Sequence, residues 1–461
     1  MKKILEGQSV ADRQMEKTAE VGAAIEIAKA AREVMDRIEE AGHDAYAVGG
    51  SVRDALLGRA PYDWDLATSA SAETIMSLFP RAAKTGIKFG IVKVFHEGMT
   101  IDVATYRKDG PYEDCRRPCH VDFTPNLEED LKRRDFTMNA MAFSPTRGLK
   151  DPFKGQEDLA KKLIRTVGDP FERFKEDALR ILRAVRFAGQ LNFEIDKASQ
   201  LAMKSKAELL AMISVERIRE EFDKIIISAN PAKSLSLCLK LGLLPYILGE
   251  PFRAIEGDEK QKLLALIEAI DNSNRDRDLR LSLFLLCFDT EKVMKAIDRL
   301  KFDNLTKTKL KSIKYLVADL PFIQSKEALK KFISRNGFDA YYFTEEVIKQ
   351  QALILTAGND DSTQLLVESS TAGAAQPSVN SGAAAKTRQV WLDEILANRE
   401  PVFLADLSVN GNDLIKSGVA KGANVGKVLF FLLDHVQLFP MDNETNFLLS
   451  KASEFKLHNT K

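Results

Sequence analysis

Asp63 and Asp65 stand two residues apart within the run Val48–Thr68, VGGSVRDALLGRAPYDWDLAT. Side chains alternate between the faces of a strand, so this spacing predicts two carboxylates on one face. Converging carboxylates repel unless a cation lies between them. A hard divalent ion such as Mg²⁺ takes oxygen ligands and shares them with substrate phosphates. Upstream, Gly49-Gly50 opens a short helix, and such a turn offers backbone N–H groups and the positive end of a helix dipole to an anion. Arg53, one turn into that helix, can reach a phosphate oxygen bidentately, while Asp54 reads as a local cap or pair. A phosphate cradle beside a metal-binding carboxylate pair outlines nucleotidyl transfer. One ion would lower the pKa of an attacking 3′-hydroxyl, and a second would hold the triphosphate and the departing pyrophosphate.

Other residues extend this outline. Asp102, in TIDVATY, suits a third carboxylate or general base, and equally a strand residue paired with a nearby arginine. The run DLKRRDFTMNA (Asp130–Ala140) reads as a strand edge, buried on one side and offering Arg134 to a ligand. In EDALRILRAVRFAG (Glu176–Gly189), Asp177 and Arg180 are spaced i, i+3, which on one helix places them side by side. An intrahelical ion pair is the ordinary explanation. A second reading concerns base edges: cytosine and adenine each present an amino donor beside an unprotonated ring nitrogen, whereas uracil and guanine present the reverse. A carboxylate accepts from the amino group and a guanidinium donates to the ring nitrogen, so one Asp–Arg pair selects C and A without a template. Arg183 and Arg186 continue round the helix toward phosphate or RNA. Cys115, Cys119 and His120 supply only three nearby ligands at an unusual spacing, which does not make a zinc site. His435 follows Asp434 without a second His–Asp pair, which leaves a metal-dependent phosphohydrolase unsupported.

These residues need elements to hold them. Helical spacing over residues 22–41 precedes a short apolar strand, Ala45–Val48. Asp63–Thr68 reads as the next strand and Ala72–Phe79 as a helix closed by Pro80. Ile91–Phe95 and Thr100–Tyr106 flank a hairpin turn at Glu97-Gly98. Lys108–Asn126 reads as a mobile loop. After Gly168 the pattern turns helical: Phe174–Gln190, Ala198–Met212 and Val215–Ser228 are amphipathic, with Ser214 as N-cap of the last. Helical patterning continues from about 231 to 356. Thr356–Lys386, rich in Gly, Ala and Ser, reads as a disordered linker or insertion, and helices resume at Gln389.

The chain has 461 residues, 45% hydrophobic and 29% charged, as expected of a globular protein of several domains. Formal net charge is zero, yet Arg116-Arg117, Lys132–Arg134 and Arg180, Arg183 and Arg186 concentrate cations in the first half. A local basic surface can bind phosphates while acidic segments cancel the total. No apolar run is long enough for a bilayer, and the start, MKKILEGQSV, lacks the apolar core of a secretory signal. Four cysteines suggest no disulfide framework, which makes a reducing cytoplasm the expected compartment.

Taken in order, VGGSVRDALLGRAPYDWDLAT, DLKRRDFTMNA, EDALRILRAVRF and Ser214–Phe222 (SVERIREEF) resemble the signature motifs of the class II tRNA nucleotidyltransferases, the family of bacterial CCA-adding enzymes and poly(A) polymerases. The resemblance is strong over residues 25–230 and returns at Val409–Leu429. It implies an α+β fold class: a DNA polymerase beta-type nucleotidyltransferase head, a small mixed sheet with helices, followed by an all-α neck, body and tail. The expected divisions are an extension (1–24), head (25–168), neck (169–245), body (246–355), linker (356–388) and tail (389–461). It further implies that Asp63 and Asp65 hold Mg²⁺ and that Gly50, Arg53 and Arg134 bind the nucleotide's phosphates and sugar. Asp177 and Arg180 would read the base, with Arg183 and Arg186 completing the pocket. The implied reaction adds C, C and A to the tRNA 3′ end from CTP and ATP, with the tail gripping the tRNA elbow and no obligate protein partner. Members that add only CC, add only A, or make poly(A) share these motifs, and CC-only members tend to have a shortened loop before RRDFT. The loop Arg107–Asn126 has the length associated with full CCA or A-only addition.

Overall fold

The computed structural model describes residues 25–86, 89–110, 120–357 and 381–458. Its chain divides into two compact units, Met1–Arg253 and Ala254–Lys461.

The first unit is built on a seven-stranded mixed sheet of order β3-β4-β5-β2-β1-β8-β9. Its strands are β1 (Ala45–Val48), β2 (Asp65–Thr68), β3 (Ala82–Gly86), β4 (Ile91–His96), β5 (Met99–Thr105), β8 (Ala142–Ser144) and β9 (Gly148–Lys150); β6 (Arg107–Asp109) and β7 (Val121–Phe123) form a separate two-stranded ribbon. Period-two alternation explains the core: Val92, Leu66 and Val103 are cross-strand neighbours and wholly buried. The helices Lys29–Glu40 and Ala72–Leu78 pack on the sheet. The first buries Ala30, Ala31, Val34, Met35 and Ile38, an i, i+4, i+8 stripe. The second is capped by Ser71, whose hydroxyl accepts from the Thr74 N–H at 3.2 Å. A second cluster gathers Tyr46, Val48, Ala67, Tyr106, Leu131, Ala140, Ala142 and Val167. Glu97 (φ 45°) and Gly98 (φ 75°) close the β4–β5 hairpin in the two-residue form that matches strand twist.

Several expectations need correction. Asp63 lies in a bend, and the strand begins only at Asp65. Asp130–Ala140, expected as a strand edge, forms no strand: the helix Leu127–Lys132, capped by Asn126, runs into it, Phe136 makes one bridge to Thr166, and Thr137–Asn139 is a 3-10 turn. The ends of the expected loop Lys108–Asn126 pair as β6 and β7, while Cys115 and Cys119 lie outside the described residues. Phe174–Gln190 is two helices, Pro170–Glu176 and Leu179–Leu191, separated at Asp177, whose backbone is extended (φ −138°, ψ 101°). Ser214 occupies an N-cap position without a side-chain cap bond.

Helices Leu179–Leu191 and Pro231–Lys240 meet at Gly189. A Cβ there would stand 2.7 Å from the Asn230 carbonyl oxygen, so only glycine allows this approach.

The second unit is helical, from Gly257–Ala269 to Thr445–His458. Asp276, Asp289 and Asp303 each cap a helix by accepting from the N–H three residues on. One core gathers around Leu329, Ile333, Tyr341 and Leu392, another around Leu414, Leu432, Val436 and Leu448. The helix Ser381–Ala397 takes in residues 381–388, which the sequence suggested were linker; residues 358–380 lie outside the described residues. Among the described residues no helix is long and apolar enough to cross a membrane.

Candidate active site

The carboxylates assemble at one end of the sheet. In the parallel pairing of β2 with β5, Asp65 stands opposite Asp102, and in the antiparallel pairing of β5 with β4, Asp102 stands opposite Lys93. Cross-strand partners share a face, so three charged side chains line up across three strands. Lys93 Nζ reaches Asp102 Oδ1 at 2.8 Å, which settles Asp102 as lysine-paired rather than arginine-paired. The Asp65 carboxyl is pushed up to about 6, first by burial, then by the charge of Asp63, with Asp102 adding and Arg134 and Lys93 opposing. Asp65 keeps a solvent-exposed surface, so the like charges beside it are the more telling cause. Asp63 therefore converges on Asp65 although it precedes the strand. This donor set, hard oxygens with negative charge in excess, fits a divalent cation.

Arg134 acts on Asp65 from beside the carboxylates and belongs to a run of linked arginines, an arginine wall. Gly49 precedes the seven-residue helix Gly50–Leu56 with φ 75° and ψ −128°, a conformation open only to glycine, and a Cβ there would meet Arg134 Nη1 at 3.0 Å. Arg134 thus lies against the Gly-Gly turn, and its Nη2 donates to Asp130 at 3.2 Å. Buried Asp130 also accepts from Arg133 at 2.8 Å; burial would raise its carboxyl, but Arg134 and Arg133 hold it below the ordinary range. Arg53 is buried and donates to Asp54 at 2.9 and 3.0 Å and to Asn139 Oδ1 at 2.7 Å. Asn139 donates in turn to Asp135 at 3.1 Å. Asp135 receives Arg183 at 2.8 Å; burial opposes its charge, yet Arg183 and Asn139 bring it down to about 2. Arg183 is raised in return, chiefly by Asp135. Arg186 Nε lies 2.8 Å from Glu221 Oε2 as a charge contact without aligned hydrogen-bond geometry.

Asp177 and Arg180 do not pair with each other. Asp177 accepts from Arg217 at 3.0 Å and from the Leu179 N–H at 3.1 Å, in the gap between two helices. Arg180 donates to Glu176 at 2.6 Å and to the carbonyls of Arg173 and Arg133 at 3.0 Å each. The ordinary ion-pair explanation of their spacing thus fails, and each side chain is steadied by other residues. Sequence reasoning missed Arg217, Glu221, Lys93 and Asp135 as partners. The only available signal was that Arg217 and Glu221 fall within SVERIREEF. A cavity of about 570 Å³, lined among others by His120, Arg133, Arg173 and Glu176, opens nearby but includes neither Asp63 nor Asp65. His435 pairs with Asp442 at 2.8 Å rather than with its neighbour Asp434.

Sheet, carboxylate end and arginine wall together define a head of the DNA polymerase beta-type nucleotidyltransferase class. The family model described as the Poly A polymerase head domain matches residues 45–165, and that of the probable RNA and SrmB-binding site of polymerase A matches residues 192–254. The CCA-adding enzyme of Pediococcus pentosaceus is 35% identical over 92% of this chain and 98% of its own length. The CCA-adding enzyme of Geobacillus stearothermophilus is 46% identical over 50% of this chain, a match spanning about half (56%) of that relative's length. The crystal structure of the Bacillus stearothermophilus CCA-adding enzyme in complex with CTP aligns with TM-score 0.69 and 31% identity, covering 93% of this chain and 98% of that one. The Thermotoga maritima CCA-adding enzyme complexed with tRNA shares the fold at TM-score 0.60 and 22% identity, over 95% of this chain and 98% of that one. The chain belongs to the CCA-adding enzyme family.

Proposed function

We propose that this protein adds C, C and then A to the 3′ end of tRNA, using CTP and ATP and releasing pyrophosphate without a nucleic-acid template. The observation that carries the reading is the sheet end where Asp65, Asp63 and Asp102 gather within electrostatic reach of Arg134, which lies against the Gly49 turn. Similarity to the Pediococcus enzyme along nearly the whole chain supports the CCA assignment.

Asp63 and Asp65 would hold Mg²⁺, which supplies Lewis-acid activation of the 3′-hydroxyl and charge neutralisation at the triphosphate. Arg134 and Arg53, with the Gly50 backbone, cradle the phosphates. Asp177 accepts from the exocyclic amino group of C or A, and Arg180 donates to the adjacent ring nitrogen. Uracil and guanine turn a carbonyl toward the carboxylate and a ring N–H toward the guanidinium, acceptor against acceptor and donor against donor, which leaves polar groups unpaired. Arg217 and Glu176 hold the two side chains by hydrogen bonds. Arg183 and Arg186 complete the cationic wall. tRNA is the proposed partner, with no obligate protein partner, and the cytoplasm is the proposed compartment, where the buried free thiols of Cys238 and Cys287 stay reduced.

The test is incorporation on tRNA transcripts ending before CCA, after C and after CC, with Mg²⁺ and each nucleoside triphosphate separately. Stepwise addition of C, C and A followed by arrest is expected. Addition of A to the CC-ended transcript alone would instead make this an A-adding specialist. Unlimited A addition would make it a poly(A) polymerase, and no addition anywhere a silent RNA binder.

A further inference from the structure

Three guanidiniums surround one phenyl ring. Phe187, on the Leu179–Leu191 helix and 4% exposed, has the Cζ atoms of Arg186, Arg53 and Arg183 at 4.3, 5.0 and 5.6 Å from its ring centroid. Phe136, next to Asp135, abuts it edge-on at 5.9 Å and 87°. Arg183 and Arg186 are close to Phe187 on its own helix, whereas Arg53 arrives from the helix after the Gly-Gly turn. Three cations this close repel one another. Each has an anion of its own: Asp54 for Arg53, Asp135 for Arg183 and Glu221 for Arg186. Those carboxylates lie on separate segments and set no common spacing. Among the described residues all three cations lie over this one ring, and the negative face of its quadrupole attracts each of them. Arg53 uses three of its five N–H donors on Asp54 and Asn139, which leaves donors for a further acceptor.

We propose that Phe187 is a positioning residue that holds Arg53, Arg183 and Arg186 in one array matched to the triphosphate of the incoming nucleotide. This rests on the nucleotidyl-transfer reading above. An aliphatic side chain of similar size fills the same space without attracting cations. The array acts on phosphate and not on the base, so it leaves the choice between C and U to Asp177 and Arg180.

The experiment compares wild type with Phe187→Leu and Phe187→Tyr in the full chain. It measures kcat and KM for CTP and ATP on tRNA transcripts, inhibition by inorganic tripolyphosphate, and thermal melting. Phe187→Leu is expected to raise KM for both nucleotides about tenfold and to weaken tripolyphosphate inhibition in parallel. The CTP-over-UTP ratio should stay unchanged, and Phe187→Tyr, which keeps the ring, should return KM to within about threefold of wild type. Unchanged KM and tripolyphosphate inhibition in a folded Phe187→Leu would overturn the positioning role alone. So would a loss that follows melting temperature and is not rescued by tyrosine. A wild-type chain that incorporates no nucleotide would overturn the nucleotidyl-transfer reading, and this role with it.

Discussion

Among the described residues of 254–461, three buried cations are tied to acceptors of the same unit. Arg280, 1% exposed, donates to the Ser273 hydroxyl and to the carbonyls of Ser273 and Asn274. Lys330 donates to the Gln437 carbonyl at 2.9 Å and pairs with Glu400, which Lys326 also reaches at 2.8 Å. Arg388 grips Glu345 through two nitrogens at 2.6 and 3.1 Å. The sheet end of residues 1–253 is built the other way. There Asp63 and Asp65 gather as like charges, and Asp65 is driven up to about 6 by burial, by Asp63 and by Asp102. A closed charge cluster holds chain segments together, whereas an open one is held at a cost to folding and marks where a ligand completes it.

Removing a charge should therefore have opposite effects in the two places. Asp63→Ala should lower nucleotide incorporation about 10³-fold, while melting temperature stays level or rises because a like charge has gone. A large loss of stability would show that the carboxylates are structural and erase the contrast. Lys330→Met should do the reverse in the second unit. It leaves Glu400 with Lys326 alone, and denaturant unfolding should register a loss of about 3 kcal/mol. An unchanged midpoint would mean that Lys330 does not secure that unit.

The arginine wall of the first unit lies between these extremes, and pH separates its structural part. Asp135 is held at about 2, below the ordinary 3.8. Its pairing with Arg183 therefore stabilises fully above about pH 4, and that contribution is lost as pH falls through about 2. The amount is on the order of 2 kcal/mol, and Asp135→Asn should flatten the acid limb of the stability profile by that much. An unaltered limb would remove Asp135 from the fold's support. The smallest expected effect belongs to base choice: Asp177→Ala should relax CTP-over-UTP preference about tenfold, or about 1.4 kcal/mol. Equal loss of rate with every nucleotide would count against a base-reading role.

Local chemistry was legible in the sequence, and long-range partnership was not. The Gly49-Gly50 turn, the β4–β5 hairpin at Glu97-Gly98 and the short strand before the turn follow from glycine's freedom, paired positive-φ residues and apolar patterning, and all three stand in the fold. The expected strand start at Asp63 failed because a two-residue period cannot tell a strand from the bend leading into it. The expected single helix through Asp177 failed because helical spacing continues across a break that Asp177 makes by going extended. Nothing in a linear reading ties Arg217 to Asp177 or Lys93 to Asp102, since each depends on segments that meet only after folding.

The β2–β5 pairing also sets when the site can exist. It is the parallel step in a sheet whose other pairings are antiparallel, and its partners come from either side of the Ala72–Leu78 helix and the β3–β4 segment. Parallel partners cannot be joined by a tight turn, so Asp65 and Asp102 meet only after a long loop has closed, a slow and entropically costly event. The register admits no error either. A slip by one residue would turn Asp102 to the opposite face and set Ile101 or Val103 beside Asp65. Asp102 therefore joins Asp63 and Asp65 only in that closure, and a copy that has not made it brings together two of the three carboxylates.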